Sequence, residues 1–225
     1  MGKLYKAAKD GNLEMVQRLL LKRGADVNAV GDKNGWTSLH VAAAGGNTNV
    51  IALLLDNGAN VNARDKNGRT PLHLAAAISS NVMASLLLDR GADVNARFAD
   101  GNTPLYFAAM EDNSELATLL LDRGADPNAR FADGWTPLHK AAEQGRTEVA
   151  AILLEAGANP NVRYSDGRTP LIFAAMEDNN ELAALLLDRG ADAKAKDMLG
   201  QTPLLLAAMH RNNELEALLR KHGGT

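Results

Sequence analysis

Short apolar stripes alternate with polar punctuation along the whole chain. In one representative stretch Leu72 and Leu74-Ala75-Ala76 supply an apolar side, and a break falls at Ser79-Ser80. Val82, Leu86 and Leu87 then return at helical spacing. The pattern predicts a first short helix from about Pro71 to Ala77 and a second from about Asn81 to Asp89. Thr70 stands where an N-cap hydroxyl meets an orphan N–H, and Pro71 takes the first helical position, where a missing N–H costs nothing. His73 can bond back to that threonine or to an adjacent loop. Gly91 suits a left-handed helix end. Ala92-Asp93-Val94-Asn95 then enters a turn whose Asp and Asn can hold nearby backbone, and Ala99-Asp100-Gly101 reverses the chain.

The stretch recurs. Thr37, Thr70, Thr103, Thr136, Thr169 and Thr202 each lie 33 residues after the last, and Leu follows two residues later every time. A fixed period in this range signals stacked similar units with no single central core. We expect one array over 1–225, with units at about 1–36, 37–69, 70–102, 103–135, 136–168, 169–201 and 202–225. Residues 1–36 lack the Thr-Pro, run about two residues longer, and add Lys3, Lys6, Lys9, Gln17 and Arg18. Glu216 and Arg220 in the last unit stand where the fourth has Ala117 and Leu121. Both ends therefore read as polar caps that seal the stack. Residues 101–126 and 167–192 are almost the same text, which points to duplication of a two-repeat block and to a natural origin ahead of an engineered array.

A net charge of −3 gives no global footprint for nucleic acid or membrane, and the absence of cysteine excludes disulfides and thiolate metal sites. No stretch reads as a signal peptide or a membrane span, so a cytoplasmic location is expected. His40, His73 and His139 belong to the repeated motif, and no pair of metal ligands, nucleophile elbow or phosphate loop appears beside them. We expect no catalytic residue, no cofactor and no metal.

The phrases Thr-Pro-Leu-His-x-Ala-Ala, Leu-Leu-Leu-x-x-Gly-Ala-Asp and Val-Asn-Ala at this period closely resemble ankyrin repeats, over essentially the whole chain. The resemblance implies an all-α repeat solenoid of helix–helix–β-turn units stacked in a curved array. Its first helices and turn tips would form a concave groove that binds other proteins. Departures are local: Ser38 replaces the motif proline, and Tyr106, Ile172 and Leu205 replace the histidine, which should weaken the polar network there.

Five of the nine aromatics fall in the turns. Trp36 and Trp135 precede their threonines, at a position that commonly faces the groove in the family, and Arg69 and Arg168 join the same candidate set. Phe98, Phe131 and Tyr164 occupy one turn position, either as partner anchors or packed on one another. Met110-Glu111, Glu143, and Met176-Glu177 end the first helices, where methionine is adaptable and the glutamates would make the wall acidic. Arg64, Arg97, Arg130, Arg163 and Lys196 form a basic ladder that Asp65, Asp100, Asp133, Asp166 and Asp197 are expected to neutralise. Asn28, Asn62, Asn95, Asn128 and Asn161 are expected to serve the turns. The expected partner is a protein or peptide segment with apolar and basic residues, bound by a monomer. A structural or self-associating array and an engineered scaffold are the alternatives.

Overall fold

In a computed structural model, residues 2–22 and 24–225 are described, with Asp133 through its backbone alone. The described residues form fourteen α-helices and two single 3₁₀ turns, with no strand beyond one isolated bridge, Val30 to Thr37. The helices come in pairs: α1 and α2 (Lys3–Lys9, Leu13–Leu20), α3 and α4 (Ser38–Ala44, Thr48–Asp56), α5 and α6 (Pro71–Ala77, Asn81–Asp89), α7 and α8 (Pro104–Met110, Ser114–Asp122). They continue as α9 and α10 (Pro137–Glu143, Thr147–Glu155), α11 and α12 (Pro170–Met176, Asn180–Asp188), and α13 and α14 (Pro203–His210, Asn213–Lys221). Two compact units result, Met1–Phe107 with Asp122–Ala125 and Ala108–Leu121 with Asp126–Thr225, and their boundary runs through α7 and α8.

Within each unit the first helices stack in file: α1 on α3 and α3 on α5 in one, α9 on α11 and α11 on α13 in the other. Their alanine pairs permit close approach, and the second helices stand further apart. The motif leucines Leu39, Leu72, Leu105, Leu138 and Leu171 are fully buried, as are Met83, Leu87, Leu120 and Leu153 on the second helices. The helix limits in the third repeat agree with the sequence pattern, but Val82 does not face inward. It is 72% exposed, and Met83, Ala84 and Leu87 form the buried stripe.

Each turn tip closes on itself, as in the bonds from Tyr164 N–H to Arg168 O (2.8 Å) and from Asp65 N–H to Arg69 O (2.9 Å). Neighbouring tips are joined by single backbone bonds, Lys66 N–H to Asn34 O (2.9 Å), Ala99 N–H to Asn67 O (2.9 Å) and Met198 N–H to Asp166 O (2.7 Å). The asparagines add a second tie. Asn62 Nδ2 donates to Gly91 O and its Oδ1 accepts from Asp93 N–H; Asn128 holds Gly157 O and Asn159 N–H, and Asn161 holds Gly190 O and Asp192 N–H, all at 2.7–3.0 Å. Asn28 makes the same pair of bonds to Gly58 and Asn60. Lys194 stands at this position in the turn before the last helix pair, with its side chain beside Gly223, the last repeat's counterpart of those glycines.

Two expectations change. Among the ladder cations, Arg64 donates to Arg97 O and Arg163 to Lys196 O (2.6 Å), so these two bind the next turn's backbone in place of the aspartates beside them. The expected pairing at Asp133 lies outside the described side chains. The ends are also less polar than a cap requires. Six of the ten exposed large hydrophobics among the described residues lie in the terminal repeats, Leu13, Met15, Leu21 and Val30 at one end and Leu205 and Met209 at the other, and Met198 and Leu199 lie in the turn just before the last repeat.

Every first helix except α9, α3 and α1 ends in a left-handed residue that is not glycine. Ser79, Asp112, Asp178 and Arg211 have φ of 53–59°, where Gly11, Gly46 and Gly145 serve the other repeats. A side chain in this conformation costs roughly 1 kcal/mol, and glycine does not. Arg211 is exposed. Arg211→Gly is therefore expected to raise the free energy of unfolding by about 1 kcal/mol in a urea titration.

Candidate functional site

The face that carries the candidate residues is set by the capping network beneath it. Thr37, Thr70 and Thr136 start their helices, and the histidine three residues on reaches back to each. In the third repeat Thr70 N–H and Oγ1–H both donate to His73 Nδ1, at 3.1 and 2.9 Å, while Nε2–H donates to Asn102 O of the following turn at 3.1 Å. The carbonyl at Nε2 fixes that nitrogen as the donor and leaves Nδ1 as acceptor. His40 links to Arg69 O (3.1 Å) and His139 to Arg168 O (3.4 Å) in the same way. Both sequence-level options for the histidine are thus used together. Where tyrosine replaces it, Thr103 Oγ1 is buried with no partner.

On this scaffold Trp36 and Arg69 converge on one buried carboxylate. Trp36 Nε1–H donates to Asp65 Oδ2 at 3.1 Å, Arg69 Nε donates to the same oxygen at 2.9 Å, and the guanidinium lies 5.5 Å over the indole. Burial by itself raises the Asp65 carboxyl, but the N–H groups of Arg69 and Asn67 and the Arg69 charge outweigh it, and its pKa falls below the ordinary value. Trp36 is thereby pinned to the next turn. Phe98 stacks on Phe107 (5.8 Å, 13° between planes) and meets His73 edge-on at 5.1 Å.

The fourth to sixth repeats reuse these positions with a different outcome. Tyr164 stands where Asp65 stands three repeats earlier. It meets Trp135 edge-on at 5.0 Å, and Phe173 lies 5.1 Å from Trp135 at a tilt of 41°. The Trp135 indole N–H has no acceptor among the described residues, and both Trp135 and Tyr164 are half-buried. Arg168 lies 5.9 Å over Phe173 and pairs with Asp166 (3.3 Å) and Asp197 (3.9 Å), without hydrogen-bonding alignment at Nε. Lys140 pairs with Glu143 at 2.7 Å and sits 6.0 Å from the Trp135 ring.

The helix-end residues divide by position. Met110, Glu143 and Met176 are half-buried, while Glu111 and Glu177 are exposed. Phe131 is half-buried and its N–H closes the turn on Trp135 O at 3.0 Å. Phe173, Phe107, Lys140 and the accepting role of Asp65 were not foreseen. The signal for the two phenylalanines was in the text, since each follows a residue that replaces the motif histidine. Among the described residues no group of three metal-ligating side chains comes together, and no helix is long and apolar enough to cross a membrane.

A family model for ankyrin repeats in three copies matches residues 4–98, 62–130, 97–164 and 156–224. The chain belongs to the ankyrin repeat family. Among solved structures it is similar to the ankyrin repeat domain of human ASB11, at 31% identity and a TM-score of 0.83, covering 100% of this chain and 99% of that one. It is also similar to that of Bcl-3, a member of the IkappaB family, at 32% identity and a TM-score of 0.87, covering 98% of both. Among sequences it is 44% identical to a mouse 2-5A-dependent ribonuclease over 61 residues, 27% of this chain and 8% of the ribonuclease. It is 42% identical to the human Notch-regulated ankyrin repeat-containing protein over 52 residues, 23% of this chain and 44% of that protein. The matches thus span less than half of these sequence relatives. Ankyrin repeats are generally protein–protein interaction modules without catalysis of their own.

The buried histidines carry a pH dependence. Desolvation lowers the pKa of His73 and His139 from 6.5 to about 4, against the raising effect of the carbonyls they bond; His40 is lowered for the same first reason. A depressed histidine pKa means that the unfolded chain binds the proton more readily. Stability is therefore complete above about pH 6.5 and falls as pH drops toward 4, by roughly 3 kcal/mol for each of His73 and His139. Urea unfolding at pH 7 and pH 4.5 measures the loss, and the double variant His73→Gln/His139→Gln is expected to flatten the slope.

Proposed function

We infer that this protein is a non-enzymatic interaction module that engages a partner protein through the face formed by first-helix ends and turn tips. Residues of the fourth to sixth repeats form the centre of that face. The observation that carries the reading is the Trp135–Tyr164–Phe173 cluster, whose indole N–H is left uncommitted while its counterpart on Trp36 is bound to Asp65. A half-buried aromatic held rigidly by its neighbours, with a free donor at its edge, has the character of a binding hot spot. Trp36, Arg69, Phe98 and Phe131 hold the corresponding positions of other repeats as positioned but more fully committed groups and are further candidates for partner contact.

The partner segment presents apolar side chains to Trp135, Tyr164, Met110 and Met176, and basic ones toward Glu111 and Glu177. Glu143 contributes less, since Lys140 already neutralises it. Arg168 is held by two carboxylates and orders the cluster from below. The repeats are already stacked before binding, so little ordering entropy opposes association. We read the whole of 1–225 as one such array, acting as a monomer in the cytoplasm and binding no nucleic acid or membrane.

Affinity capture from a lysate, followed by calorimetry on the captured protein, tests the reading. Trp135→Ala is expected to weaken binding by about tenfold to a hundredfold. Trp36→Ala is expected to lower stability as well as affinity, because Asp65 loses a donor. Val82→Ala, on the exposed side of a second helix, is expected to change neither. Equal losses for Trp135→Ala and Val82→Ala would reject the face.

A further inference from the structure

The first repeat keeps apolar residues at positions that interior repeats bury against the preceding repeat. Two residues separate its register from the common period, so Ala7, Met15 and Leu19 stand where the third repeat has Ala75, Met83 and Leu87. Met83 and Leu87 are 0% exposed, whereas Met15 is 40% exposed and Leu19 is partly open. A plain cap would have made these positions polar; in the last repeat it is other positions, Glu216 and Arg220, that turn polar, while Leu215 and Leu219 stand where Met15 and Leu19 do. Here only the border has changed: Lys3 and Lys6 stand where the third repeat has Pro71 and Leu74. Between α1 and α2 the result is a trough of about 300 Å³, floored by Ala7, Met15 and Leu19 and edged by Lys3, Lys6 and Asp10. A second hollow of about 330 Å³ continues it past Leu4 and Leu19 to Lys22.

Charge decides what fits. Residues 2–28 carry Lys3, Lys6, Lys9, Arg18, Lys22 and Arg23 against Asp10, Glu14 and Asp26, a net of +3 in a chain whose total is −3. A second copy stacked end to end would offer its last repeat. That repeat, residues 202–225, carries Arg211, Arg220 and Lys221 against Glu214 and Glu216, a net of +1. Like charge at both ends opposes that pairing.

We propose that the trough between α1 and α2 is a docking site for an acidic amphipathic helix of another protein. The incoming helix lays its apolar stripe on Met15, Leu19 and Ala7, as the helices of a preceding repeat would. Its carboxylates meet Lys3, Lys6 and Lys22. This site is independent of the Trp135 face, and one chain can hold a partner at each.

The probe is a labelled synthetic helix with leucine at i, i+4, i+7 and i+11 and glutamate on its other face, titrated into the whole protein at about 50 mM salt. Saturable binding is expected, and the same peptide with lysine for glutamate is expected not to bind. Met15→Lys and Lys6→Glu, both at exposed positions, are each expected to weaken the acidic peptide about tenfold or more while circular dichroism stays unchanged. Trp135→Ala is expected to leave this binding intact, which separates the result from the fate of the other face. Absence of binding, or affinity indifferent to Met15→Lys and Lys6→Glu, would overturn the proposal. Light scattering that shows self-assembly abolished by Met15→Lys would also overturn it, by assigning the trough to a second copy.

Discussion

Each repeat reaches into the next through polar side chains that grip backbone. The asparagine of one turn holds a glycine carbonyl and an amide of the following turn, and the motif histidine holds a carbonyl slightly further along. A helix pair of about seven and nine residues has no core of its own and cannot be stable alone in water. Its leucines are buried only because a neighbour covers them. These side-chain ties fix the register in which covering occurs, and every residue on the candidate face inherits its position from them.

The same dependence explains why a single substitution changes the character of a site. Asp65, itself buried, gathers the half-buried Trp36 and Arg69 into one hydrogen-bonded knot. With Tyr164 at that place, Trp135 gains an aromatic neighbour and loses its acceptor. One scaffold position thus produces a tryptophan bound to a carboxylate in one place and one with an uncommitted N–H in another, both half-buried. Neither helix limits nor burial of the leucines differs between the two.

Much of this was legible before any coordinates. The threonine period, the Thr-Pro helix starts and the helix limits around residues 71–89 rest on local chemistry, and local chemistry repeats in the text. Pairings between repeats were harder to read, because the partner lies about 29 to 34 positions away and only the stacked geometry selects it. Arg64 and Arg163 illustrate the point: aspartates lie near them in sequence, yet the next turn's carbonyl is what the guanidinium reaches. Val82 fits a helical stripe on paper, but the burial direction of α6 is set by the helices on either side and turns it outward. The terminal repeats misled for a related reason. Lysines at Lys3 and Lys6 read as a polar cap, while the retained Met15 and Leu19 show their meaning only beside their buried counterparts.

The account stands on the claim that these ties between turns hold the stack together. Native-state hydrogen exchange on Asn161→Ala tests it most directly, since Asn161 binds both Gly190 O and Asp192 N–H. Loss of protection at the Asp192 amide, with faster exchange spreading through α11 to α14 before it reaches α9 and α10, is the predicted result. Protection that stays uniform across these helices, with the Asp192 amide still slow, would contradict it.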